Sequence, residues 1–141
     1  MIKSEKEYKE AVKRLKEEME AIEATRVELE KEGLTPEQVK NALDPLLSFR
    51  GQLEDEVTTY EKIKRGDIGA IENFYGIGRS LIAMRISVGI TQTELAKKLG
   101  MESSNFCRLE KNEFHGAKPE LISRVLQALG FRARTTFERV A

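Results

Sequence analysis

The sequence predicts an all-α chain: a long helical hairpin, then a compact set of short helices. Three observations lead there. Apolar residues in the first 66 positions recur at spacings of four and three, the mark of a buried helical stripe. Residues 79–130 hold short apolar-periodic runs separated by glycines placed where helices end. Only residues 131–141 are β-prone, and a lone strand leaves both edges unpaired.

The first helix is expected over residues 5–32. Tyr8, Val12, Leu15, Met19, Ile22 and Leu29 form its heptad seam, broken by Arg26. Gly33 ends it. Thr35, Pro36 and Glu37 then open a second helix, with Thr35 as cap and proline in the first turn. Its seam runs through Val39, Leu43, Leu46, Leu53, Val57 and Tyr60, broken by Arg50. Pro45 lies inside that pattern and should end one helix and start another, with Asp44 as the new cap. Lys62, Lys64 and Arg65 suit the negative end of the last turn, and Gly66 closes it. The arm is thus 1–66. It can fold back on itself, or its stripe can also join two protomers.

Residues 67–78 contain three glycines, four with the arm's closing Gly66, and suit a turn-rich linker. Phe74 and Tyr75 should pack it onto a domain. Gly76-x-Gly78 lacks both a preceding strand and the third glycine of a dinucleotide loop. Further helices are expected over 80–88 and 118–129, the latter with Pro119 near its start and Leu121, Val125, Leu126 and Leu129 facing the core.

Between them, residues 90–110 read as two short helices joined by a tight turn. Thr91 and Glu94 have capping-box spacing. Leu95, Ala96 and Leu99 fall on one face, and small Ala96 permits close approach of a second helix. Gly100 suits the left-handed helix end, and Met101 can plug the core from the turn. In the next helix Phe106 and Leu109 share an inward face. Ser103, Ser104, Cys107 and Arg108 are pushed toward another. A short helix presenting small polar residues and one Arg suits a major groove.

This stretch resembles the phage-repressor and Cro-like (XRE-like) helix-turn-helix family. The resemblance is carried by Arg85, Gly89, Ile90, Thr91, Gln92, Glu94, Leu95, Ala96, Leu99, Gly100, Met101, Phe106, Cys107, Arg108 and Glu110. It spans about residues 79–130. Phe106, Cys107 and Ser103 depart from the usual Ile or Val, Ser and Gln, so base preference does not carry over. The resemblance implies a five-helix lambda-repressor-like DNA-binding domain with a recognition helix at about 102–111. It implies that Gln92 contacts a phosphate and braces that helix, and that Arg85 and Glu110 form a structural ion pair. It also implies that the loop after the recognition helix approaches the DNA backbone, through Lys111, Asn112 or Lys118. The 131–141 tail is similar to tails on some antitoxin-type members.

Each candidate has a plainer reading. Arg108 can grip a guanine, or hold a phosphate, or pair with Glu102. Ser103, Ser104 and Asn105 can reach bases or phosphates, yet serine is also a good helix opener. His115 reads as a loop residue. Cys107 is a packing residue unless its oxidation is coupled to binding.

Charge divides the chain. Residues 1–66 hold 13 Lys/Arg and 16 Asp/Glu, and residues 67–141 hold 11 and 8. Only the second part leans toward phosphate. One Cys and one His exclude an intrachain disulfide and leave no pattern for a metal. No cofactor is expected, and no nucleophile, base and electrophile can be assembled for an enzyme. With no long apolar run or signal core, the expectation is a cytoplasmic protein with no membrane partner. The partners expected are double-stranded DNA and a second copy of the chain. The function expected is a dimeric, sequence-specific DNA-binding transcriptional regulator, a repressor in the family's usual sense. The alternative is an antitoxin-like or scaffold protein whose arm and tail bind a toxin-like partner.

Overall fold

Ser4 opens the first helix by accepting a hydrogen bond from the Glu7 backbone N–H, and α1 then runs Glu5–Lys31. It is the first of six α-helices in the computed structural model, which describes residues 1–141. Helical residues make up 70% of the chain, and there are no strands. The chain divides into two compact units, residues 1–61 and 62–141.

In the first unit α1 runs against α2 (Pro36–Lys64), whose last turn falls in the second unit. Gly33, at φ +84°, makes the turn between them, and the Leu34 N–H reaches back to the Leu29 carbonyl. Thr35 and Gln38 exchange hydrogen bonds as a reciprocal cap for α2. Near the open end of the hairpin, the rings of Tyr8 and Tyr60 stack with centroids 5.0 Å apart. The Tyr8 hydroxyl donates to Glu61 at 2.8 Å, and the Tyr60 hydroxyl to Glu5 at 3.2 Å.

Three expectations for the hairpin need correction. The α1 seam keeps Tyr8, Leu15, Ile22 and Leu29 at least half-buried, but Ala11 is buried where Val12 was expected. Glu18 is half-buried, while Met19 is 56% exposed. A heptad line through residues 8 and 15 can be completed three or four positions on, and packing against α2 selects the former. Nor does Pro45 divide the second helix, which passes through it. Proline deletes one backbone bond, to the carbonyl four residues back. Asn41 and Pro45 are both exposed, so water can solvate the freed carbonyl while buried Val39, Leu43, Val57 and Tyr60 hold the flanking turns. Leu46, expected in this seam, is 45% exposed.

The second unit contains a 3-10 turn, Phe74–Gly76, then α3 (Ile77–Val88), α4 (Gln92–Leu99), α5 (Ser103–Lys111) and α6 (Pro119–Leu129). α4 packs on α5 and α6, and α3 packs on α6. Leu81, Ile82, Leu95, Phe106 and Val125 are the fully buried apolar centre. α3 starts ahead of the 80–88 span because Gly78 is a packing residue, not a linker residue. A Cβ on it would lie 1.7 Å from the Glu113 carbonyl oxygen. The loop after α5 closes there with Glu113 and Phe114 at φ +51° and +57°. That conformation is costly for residues with a Cβ. It is offset by burial of Phe114, whose ring meets Phe106 edge-on at 5.9 Å.

Phe74 and Tyr75 do not pack the linker down as expected. They are 64% and 84% exposed, because Asn73 caps a single tight turn that projects both rings outward. Residues 131–141 form no strand and carry no regular structure. An extended segment needs a neighbour to complete a ladder. Here only the Phe131 N–H is tied back, to the Leu126 carbonyl at 2.9 Å. No helix is long and apolar enough to cross a membrane.

Candidate nucleic-acid interface

α4 and α5 are placed by local chemistry at each end. Thr91 caps α4 by accepting from the Glu94 N–H, and the Glu94 carboxylate accepts from the Thr91 N–H at 2.7 Å. Those backbone and hydroxyl hydrogen bonds from Thr91 hold the Glu94 carboxyl below its ordinary range, with a smaller contribution from Lys98. At the other end Gly100 takes φ +67°, and the Met101 N–H returns to the Ala96 carbonyl at 2.9 Å. The turn is therefore closed on both sides, and α5 leaves it in a fixed direction.

The inner face of α5 is anchored by Phe106 and Glu110, 0% and 1% exposed. Arg85 of α3 meets Glu110 with two bonds, Nε to Oε1 at 2.5 Å and a terminal nitrogen to Oε2 at 3.0 Å. The other terminal nitrogen of Arg85 donates to the Ile90 carbonyl at 3.0 Å. Gln92 adds a third bond to the same carboxylate, Nε2 to Oε2 at 2.6 Å, and its Oε1 accepts from the Cys107 thiol at 3.1 Å. The first turn of α4 is thus wired to both buried and half-buried positions of α5. Burying two charges is tolerable only when their remaining valences are met, and Ile90 and Gln92 help to meet them.

The outer face is polar. Ser104, Asn105 and Arg108 are exposed, as are Lys111 and Asn112 at the end of α5 and Lys118 before α6. Arg108 leans on Asn105 at 3.5 Å, the outer limit of a hydrogen bond, and does not pair with Glu102 in this arrangement. Its guanidinium is therefore free to reach outward. Ser103 is half-buried, and its hydroxyl shares a hydrogen bond with Thr93 at 3.1 Å. Ser103 and Gln92 are thus occupied within the protein, whereas Ser104, Lys111, Asn112 and Lys118 are exposed.

Three positioning contacts were missed from the sequence. Thr93 ties the starts of α4 and α5 together. Arg124 donates to the Leu99 carbonyl at 2.6 Å, satisfying the end of α4 from α6. Arg79 pairs with Glu113 at 3.0 Å, bracing the loop after α5. Capping and heptad rules look along one element, and these contacts join elements more than nine residues apart. No cluster of His, Cys, Asp and Glu is placed to hold a metal ion.

Comparison of the chain with family models, curated proteins and solved structures gives no match.

The structural boundary sharpens the charge division. Residues 1–61 carry 10 Lys/Arg against 16 Asp/Glu, and residues 62–141 carry 14 against 8. The unit that holds α4 and α5 has a net charge of +6 and the hairpin unit −6, with three of those cations, Lys62, Lys64 and Arg65, at the end of α2. Such a field favours a polyanion at one unit alone.

Proposed function

We propose that this chain is a sequence-specific DNA-binding transcriptional regulator that acts as a dimer, with α5 entering the major groove and the second unit arranged as a lambda-repressor-like domain. The observation that carries the reading is the two-sidedness of α5. Its inner face is fixed by Phe106 and the Arg85–Glu110–Gln92 network, while Ser104, Asn105 and Arg108 stand outward with no strong partner. A base-reading helix needs both properties, since readout depends on side chains held at a set depth and angle. The positive charge of the same unit supplies the sequence-independent attraction to phosphate. Lys111, Asn112 and Lys118 are the phosphate-side residues, and repression by occlusion of a promoter is the expected consequence.

The test is an anisotropy titration of fluorescent duplex from the gene's own upstream region against a scrambled duplex, at two salt concentrations. Tight binding to the native duplex alone, weakened by salt, supports an autoregulatory reader. Equal weak binding to both duplexes counts against autoregulation, and loss of all salt dependence counts against phosphate contact altogether.

A second reading, an antitoxin-like or scaffold protein, is favoured by one observation. Phe74, Tyr75 and Phe137 are large, apolar and 64%, 84% and 87% exposed on the second unit. It predicts a stable complex with another protein in the absence of DNA.

A further inference from the structure

The second unit has two adjoining apolar hollows, of about 520 and 640 Å³, which share Phe74, Ile77, Leu126 and Ala133 as common lining. The first continues along α6 past Pro119 and Ile122. The second lies between the 68–74 segment and the tail, and residues 133–137 of the tail form one of its walls. A segment that walls a hollow does not fill it, and Phe137 and Val140 stand 87% and 91% exposed. The chain therefore carries an unfilled apolar socket and, a few residues away, an uncovered apolar plug.

We infer that two copies of the chain exchange their tails, each Phe137 entering the α6-side hollow of the other protomer. The charges select a second copy as the occupant. The tail is basic, with Arg132, Arg134 and Arg139 against Glu138 alone. The charged residues lining the hollows are Glu72 and Glu113, with one cation, Arg134, which belongs to the tail itself. Glu113 already holds Arg79 at 3.0 Å, so Glu72 is the carboxylate available to an incoming arginine. Plug and socket on one chain make an isologous pair, in which a two-fold axis satisfies both at once and the assembly closes. An aromatic side chain removes about 150–250 Å² from water on burial. Two Phe137 rings alone fall short of the roughly 1,000 Å² that a stable interface needs, so Val140 and the tail backbone join the contact.

The inference rests on the dimer of the preceding section and not on its DNA contact, so it is tested without DNA. Sedimentation of the full chain is compared with Phe137→Asp, a change at a side chain too exposed to matter to the protomer's own fold. In parallel, two single-cysteine chains in a Cys107→Ser background, one Phe137→Cys and one Ile122→Cys, are mixed and mildly oxidised. The expected result is a full-chain dimer, a dissociation constant raised at least about tenfold by Phe137→Asp, and a disulfide-linked heterodimer from the mixture. A dimer indifferent to Phe137→Asp that yields no cross-link overturns tail exchange and leaves the dimeric DNA reader standing. A monomeric full chain overturns both. In that case, a disulfide formed within one chain bearing both cysteines identifies the protomer's own tail as the occupant, and its absence points to a foreign partner.

Discussion

Arg85 of α3 and Glu110 of α5 are joined by two hydrogen bonds, with their side chains 4% and 1% exposed. They are the only charged residues in the buried set. Removing one partner strands the other in a low dielectric, at a cost of about 3–5 kcal/mol. Arg85→Ala and Glu110→Ala should each lower stability by that amount in chemical denaturation. Arg85→Met with Glu110→Leu should be much closer to wild type, because no buried charge is left alone. If the two single variants unfold like wild type, the pair does not hold α5 in place.

Gly78 makes a sharper steric prediction. Its missing side chain leaves room for the Glu113 carbonyl, which an added Cβ would approach to 1.7 Å. The neighbour is backbone and already strained, so Gly78→Ala should cost at least about 3 kcal/mol or abolish folding of the second unit. A Cβ added at Gly51, in the middle of α2, would have nothing within 4 Å. Gly51→Ala should therefore raise stability, by about 0.5–1 kcal/mol. Thermal melts of the two variants should move in opposite directions.

That contrast marks where the sequence was legible. The ends of α4 could be read directly, because Thr91, Glu94 and Gly100 act within a few residues of one another. The same holds for Gly33, Thr35 and Gly66 at the hairpin's ends, whereas the Ser4 cap of α1 went unread. Gly78 was read as linker because its role depends on a carbonyl 35 positions away. Val12 and Met19 were placed in the seam because hydrophobicity alone cannot choose between spacings of three and four; the stack of Tyr8 on Tyr60 settles the register. Of the candidate interface, the outward placement of Ser104 and Arg108 followed from helical spacing, while Cys107, expected on that same face, is half-buried against Gln92. The inward commitments of Gln92 and Ser103 did not, since each depends on a partner on another helix.

Arg108 is the residue on which base preference should depend. It is exposed and makes only a marginal contact with Asn105 at 3.5 Å, so its removal leaves the fold unaffected. Arg108→Ala should weaken binding to the preferred duplex by about 1–3 kcal/mol, roughly 5- to 150-fold, and flatten preference at one base pair per half-site. Lys111→Ala should instead weaken all duplexes alike and reduce the salt slope by about one. An Arg108→Ala protein that melts well below wild type would show a structural role and remove it from the interface.

Acid and alkali should act on different parts of the molecule. The Glu94 carboxyl is held below its ordinary range by Thr91. Its contribution is present above the unfolded value and is lost as pH falls through the lower, folded value. Glu94→Gln keeps a capping acceptor without the titration, so it should remove that acid-side dependence from helicity measured by circular dichroism.

Tyr8 works in the opposite direction. Its hydroxyl donates to Glu61, and that hydrogen bond is the largest cause of a pKa raised above the usual tyrosine value; desolvation and the charges of Glu61 and Glu5 push the same way. The folded hairpin therefore prefers the neutral phenol. Its contribution is complete below the unfolded value near 10 and is lost as pH rises through the higher, folded value. Ultraviolet titration should find a tyrosine that ionises late, and Glu61→Gln should move that ionisation to lower pH by removing the charge the phenolate would face. The Tyr8→Phe protein should lack the late component while retaining the ring packed on Tyr60. If the late component survives Tyr8→Phe, it belongs to another tyrosine, and the hydrogen bond to Glu61 is not what sets the alkaline limit of the hairpin.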